Sequence, residues 1–153
     1  MDNFKMACYM ESLGFNPKKI TATGNVKSGN APWVGEYPVV LILGTLPSDV
    51  SIREQAYYQN KSYNSFWKIM HALWPNDALL GDKEFVKAHH IALWDCFHSA
   101  EREGNMDSGF GAIKKPNNMQ DFLQKHPSIK AIILNGTGET TDSFRLLFRK
   151  TQK

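Results

Sequence analysis

Two cysteines, Cys8 and Cys96, are too few for a disulfide framework and cannot complete a zinc site by themselves. They read as reduced thiols of a cytosolic protein. No stretch approaches the ~20 apolar residues that span a bilayer. The start, Met1-Asp2-Asn3-Phe4-Lys5-Met6, lacks the basic-then-apolar order of a secretory leader. A soluble, cytoplasmic protein is the expectation, with no membrane partner. Neither sign of charge dominates: 18 Lys and Arg against 15 Asp and Glu leave +3, and the pI is near 8.8. That allows a polyanionic partner without the density of a histone-like chain. Internal repeats and low-complexity tracts are lacking too, and a composition of 42% hydrophobic and 22% charged residues excludes collagen-like, mucin-like and wholly disordered chains.

What is present suits one domain: 153 residues, 42% of them hydrophobic, enough to bury a core. Phe4, Ala7, Cys8 and Leu13 predict a helix over 2–13, ended by Gly14. Residues 14–38 hold Gly14, Pro17, Gly24, Gly29, Pro32, Gly35 and Pro38, and read as a long loop or arm pinned by Trp33. Residues 1–38 thus form an N-terminal helix and extended arm, and 39–153 an α/β body, within a single domain. Three short apolar runs without alternation predict strands buried on both faces, hence parallel: Val39–Leu43, Ile91–Trp94 and Ile129–Leu134. Phe66, Trp67, Ile69, Met70, Leu73 and Trp74 give a helix with one broad apolar face, closed by Pro75. Met119, Phe122 and Leu123 mark a second helix, and Phe144, Leu147 and Phe148 a third. The alternation predicts a three-layer α/β/α sandwich around a short parallel sheet.

Ligands of such sheets sit beyond the carboxyl ends of the strands, here Gly44–Val50, Asp95–Asp107 and Asn135–Thr141. Gly44-Thr45-Leu46-Pro47-Ser48 suits a backbone that approaches a ligand closely, and equally a plain turn. It is neither a P-loop nor a dinucleotide fingerprint. Tyr57, Tyr58, Tyr63 and Phe66 offer aromatic faces to a planar ring, beside an Asn64 that can donate and accept. The bland reading of the same residues is a core stripe, with Asn64 or Ser62 capping the helix. Asp95 opens a dense polar segment, whereas His89 and His90 lie at the strand's other end and read as structural. His98 has no nucleophile signature beside it, and no cluster has metal-ligand spacing.

Together, VVLILGTLPSDVSIREQAYYQNKSYNSFW (39–67), HHIALWDCFHSAEREGNMDS (89–108) and HPSIKAIILNG (126–136) resemble the uracil-DNA glycosylase superfamily. Within it they are most similar to the hypoxanthine-DNA (DNA-deoxyinosine) glycosylase branch. The resemblance implies a base-excision repair enzyme that extrudes a deaminated base from DNA, hypoxanthine first and uracil second. It then hydrolyses the N-glycosidic bond without metal or cofactor. It also implies roles. Asn64, before the Phe-Trp pair, would hold the attacking water, and Phe66 would stack on the base. Asp95 stands where uracil-specific relatives read the base with Asn, and an ionised carboxylate there would accept from hypoxanthine N1–H. Gly44, Thr45 and Leu46 would line the base, with Pro47, Ser48, Tyr58, Asn135 and Gly136 on the DNA and sugar side. Leu46 takes the place of a polar catalytic residue found in many superfamily members.

The family adds a fourth strand and a Ser/Pro-containing wedge loop after the last matched strand, and neither is found before Lys153. A three-stranded sheet with one bare edge is compatible with a homodimer. The competing readings are a non-catalytic relative that binds nucleic acid, and a small-molecule α/β enzyme acting on free nucleosides or nucleotides.

Overall fold

A computed structural model describes residues 25–148. The helix expected over 2–13, Cys8 and the first part of the Gly- and Pro-rich segment lie outside these residues. The described chain runs β1 (Val26–Ser28), β2 (Trp33–Val34), β3 (Val40–Gly44), α1 (Asp49–Glu54), α2 (Phe66–Leu73), α3 (Asp82–Ala88), β4 (Ile91–Asp95), β5 (Phe97–Arg102), β6 (Phe110–Pro116), α4 (Met119–Lys125), β7 (Ala131–Leu134) and α5 (Glu139–Phe148).

The three unalternated apolar runs are the parallel strands, in spatial order β4-β3-β7, with Leu43 paired to Trp94 on one side and Leu134 on the other. Their alternate side chains serve two cores. Leu41, Leu43 and Ala92 point to one face, where Met119, Phe122, Phe144 and Leu147 of α4 and α5 pack. Ile42, Ile91 and Leu93 point to the other, against Phe66, Trp67, Met70, Phe85 and Val86 of α2 and α3. Helices on both faces of the sheet make the α/β/α sandwich, and the apolar stripe of α2 is the reason it lies flat on one of them.

The structure corrects two expectations. The central sheet has four strands: β2 pairs antiparallel with β4, Trp33 opposite Leu93. Two residues between Pro32 and Gly35 are too short to show a period, so their pairing comes from tertiary contact. Trp33 does pin this segment, meeting Tyr57 edge-on with ring centroids 5.4 Å apart. Beyond β7 no further strand is added among the described residues.

The second correction is an antiparallel sheet, β1-β5-β6, whose first strand lies within the expected loop or arm and whose second lies in the expected exit segment after Asp95. Register shifts between Phe97 and Ser99, and between Ala100 and Arg102, break the alternation that would have announced β5. A chain segment that leaves β4 at Asp95 thus turns back as a hairpin rather than a loop. It carries its tip, residues 103–109, over the carboxyl end of the central sheet. No helix among the described residues is long and apolar enough to cross a membrane.

Candidate active site

The carboxyl ends of β3, β4 and β7 open into a cleft of about 460 Å3, within the range of small-ligand sites. All the candidate residues line it except two: Gly44, Thr45, Leu46, Pro47, Ser48, Tyr58, Asn64, Asp95 and Asn135 come together there, while Phe66 and Gly136 do not. The Gly44–Ser48 segment is held from three directions. Gly44 and Thr45 carbonyls accept from the amides of Cys96 and Phe97, and Ser48 caps α1 by accepting from Ser51 N–H. Arg102, 1% exposed, supplies the third hold. Its guanidinium donates to the carbonyls of Leu46 (3.0 Å), Pro47 (2.6 Å) and Gly104 (3.1 Å), a planar fork tying the loop after β3 to the β5–β6 hairpin.

Asp95 is the most unusual group in the cleft. It is 3% exposed, and its Oδ2 is buried without a hydrogen-bond partner among the described residues. Burial pushes its pKa up to about 7; Arg102 pulls against this shift and Asp107 adds to it. Near neutral pH the carboxyl is therefore as readily protonated as ionised, which corrects the purely ionised group expected from sequence. Tyr58 stands beside it. Its hydroxyl is also buried with no hydrogen-bond partner among the described residues, Asn135 lying close by outside bonding geometry, and burial with the Asp95 charge drives its pKa up. Tyr58 adopts φ of 58°, uncommon for a bulky residue. That conformation is braced by Phe66, whose ring lies 4.1 Å from the Tyr58 ring. It is braced also by Tyr57, whose hydroxyl donates to Ala31 O at 2.9 Å.

Phe66 is accordingly displaced from the role of stacking face. Its side chain is 8% exposed and packs between Tyr58 and Trp67, and the aromatic residues that line the cleft are Tyr57, Tyr58 and Tyr63. Asn64 Oδ1 accepts from Phe66 N–H at 2.9 Å at the start of α2, and the residue also lines the cleft. Gly136, with φ of 142°, shapes the turn after β7, where a side chain would collide with Thr140 Oγ1. His89 and His90 lie away from the cleft, bound to Asp77 and to the Glu36 carbonyl.

Sequence reasoning did not single out Asn105 and Met106, which complete the cleft from the hairpin tip. Thr45 Oγ1 donates to Asp107 at 2.8 Å, and Asn105 Oδ1 accepts from Asp49 N–H at 2.7 Å, so this tip is fastened to the rim. The Gly104-Asn105 pair is the turn signal that could have disclosed it. Among the described residues no group of three His, Cys, Asp or Glu is placed to hold a metal ion.

No protein-family profile matches the chain. It is similar to two curated proteins named hypoxanthine DNA glycosylase. One, from Methanosarcina acetivorans, is 36% identical over 115 residues, 72% of each chain. The other, from Methanosarcina barkeri, is 32% identical over 132 residues, 82% of each chain. The solution structure of a Methanosarcina acetivorans protein described as a candidate uracil DNA glycosylase superposes with a TM-score of 0.66. Its sequence is 31% identical, over 83% of this chain and 79% of that one.

Proposed function

Since the chain belongs to the hypoxanthine DNA glycosylase family, within the uracil-DNA glycosylase superfamily, we propose that its cleft receives hypoxanthine extruded from DNA, and uracil by the same edge. It is a DNA glycosylase, a hydrolase of N-glycosidic bonds that acts in base-excision repair. The observation that carries the substrate reading is the pair of buried, unpartnered polar groups, Asp95 Oδ2 and Tyr58 Oη, lining a cleft that also contains Asn64.

Buried polar atoms without partners are costly, so the site is built to be completed by a ligand that donates and accepts. Hypoxanthine presents O6 as acceptor next to N1–H as donor, and uracil presents O4 beside N3–H. A protonated Asp95 carboxyl matches either edge with two hydrogen bonds: its hydroxyl donates to the base oxygen, and its carbonyl accepts from the ring N–H. The Tyr58 hydroxyl adds a further donor, and its ring, backed by Phe66, gives the base a face.

Hydrolysis breaks the bond between C1′ and the base nitrogen as water oxygen bonds to C1′. The bonding pair leaves with the base, the water loses a proton to solvent, and the departing base nitrogen takes one up, so that the products are a C1′ hydroxyl and the neutral base. As the sugar becomes cationic, negative charge grows on the base, where donors from Asp95 and Tyr58 stabilise it. Asn64 is held at one orientation by the Phe66 N–H, and its amide positions the water rather than removing the proton, because an amide is a poor base. Gly44 to Ser48 and Asn135 form the wall beside the sugar.

The test is incubation of hypoxanthine- and uracil-containing oligonucleotides with purified protein, followed by alkali. Strand scission at the damaged nucleotide is expected, and Asn64→Ala lowers single-turnover rate by about a hundredfold or more. Absence of scission at stoichiometric enzyme would refute the substrate reading. Full activity in Asn64→Ala would refute the role of the amide.

A further inference from the structure

Extruding a nucleotide leaves a gap in the base stack, and proteins that unstack DNA fill such gaps with a thin apolar side chain. We propose that Met106 is that wedge, entering the duplex from the tip of the β5–β6 hairpin as the base moves into the cleft; this rests on the glycosylase reading above. Met106 is 70% exposed and yet lines the cleft, which places it on the rim. Its two neighbours do not share its freedom. Asn105 is bonded to the backbone of Asp49 and Asp107 to the side chain of Thr45.

The hairpin is closed beneath the tip by Glu103 N–H to Gly109 O at 2.9 Å and by Gly109 N–H to Met106 O at 2.9 Å. Arg102 and Lys27 both donate to Gly104 O, fixing the ascending limb. The result is a rigid support with one unattached apolar side chain at its apex. Rigidity matters because a wedge must resist the restacking of the bases. An isolated exposed methionine on a surface needs no explanation. One clamped on both flanks at the lip of a base-sized cleft has a use.

Tyr63, 88% exposed on the same rim, is the competing side chain. It follows a turn closed by its own N–H to Asn60 O, and no bond of its side chain to another described residue steadies it. Met106 is also the slimmer group for insertion between base steps.

The experiment compares Met106→Ala and Tyr63→Ala with the unaltered protein on hypoxanthine in single-stranded and duplex oligonucleotides. The readout is the ratio of duplex to single-strand single-turnover rate. A second readout, independent of cleavage, is the binding preference for a duplex containing a tetrahydrofuran abasic gap over an intact duplex. Met106→Ala should lower the rate ratio about tenfold and erase the gap preference. An unchanged ratio and a retained preference overturn the proposal, as does a selective loss in Tyr63→Ala alone. If the unaltered protein cleaves neither substrate, the glycosylase reading fails separately, and the gap preference still decides the role of Met106.

Discussion

The Asp95 carboxyl and the Tyr58 hydroxyl converge on the bare Cα of Gly44. A methyl group built there would lie 2.5 Å from Asp95 Oδ1 and 3.4 Å from Tyr58 Oη. The glycine is required by side chains approaching it rather than by its own backbone angles. Gly44→Ala therefore pushes the carboxyl out of register with the base. About 1–3 kcal/mol of stability is lost to overpacking, and kcat falls about a hundredfold. Chemical denaturation and single-turnover kinetics read the two effects separately.

Under the proposed pairing with the base, Asp95 makes the reaction pH-dependent. With a folded pKa raised to about 7, the neutral form that pairs with the base edge is lost as pH rises through that value. The rate on hypoxanthine should decline above neutrality along a single ionisation. Asn at this position mimics the neutral acid, so Asp95→Asn removes the decline. A pH–rate profile for both proteins checks this.

The same shift has a thermodynamic side. Between the unfolded carboxyl pKa of about 3.9 and the folded value, the native state binds more protons than the unfolded chain. Stability falls as pH rises through that window and is level above it. Each unit of elevation is worth about 1.4 kcal/mol. Asp95→Asn should gain on the unaltered protein from pH ~4 to ~7 in melting temperature, then keep a constant lead.

Arg102 is a positioning residue: it touches three backbone carbonyls and not the cleft. Lysine has a single ammonium and no fork, so Arg102→Lys leaves carbonyls unsatisfied beneath the loop after β3. The expected cost is about 2–4 kcal/mol in denaturant titration. A fall in kcat with little change in KM would show that the wall moved while binding survived.

Phe66→Ala separates packing from stacking. The side chain sits in the core between Tyr58 and Trp67, so its loss should cost about 3–5 kcal/mol of stability. Phe66→Leu, which refills most of the space, should restore both stability and activity. A direct stacking role would instead leave the leucine variant stable and inactive.

The sequence made the central sheet legible because buried parallel strands advertise themselves as apolar runs; Leu41, Leu93 and Ile132 are where that signal placed them. Asn64 and Asp95 were found by their positions at a helix start and a strand end. The hairpin was illegible for a local reason: Glu101 and Arg102, both buried, occupy strand positions that a polarity pattern assigns to solvent. Their burial depends on partners far along the chain, such as Leu46 and Pro47 for Arg102. The resemblance implies a stacking role for Phe66, but a motif match carries no information about which neighbouring ring lies in front of it. Tyr58, at a φ of 58°, lies against Phe66 and lines the cleft, which Phe66 does not.

The chain from Val26 to Gly35 ties together the hairpin, the α1 exit and the central sheet. Gly29 N–H bonds to His98 O in the hairpin, and Asn30 Nδ2 bonds to Ser51 O and Ala56 O at either side of the α1 exit. Gly35 N–H bonds to Ile91 O in the central sheet. Like a lace drawn through successive eyelets, it obliges these parts to loosen together. Amide exchange at Gly29 and Gly35 should thus track whole-molecule opening instead of local fraying, and a nick anywhere along this stretch would be felt as a slackening of the entire pocket.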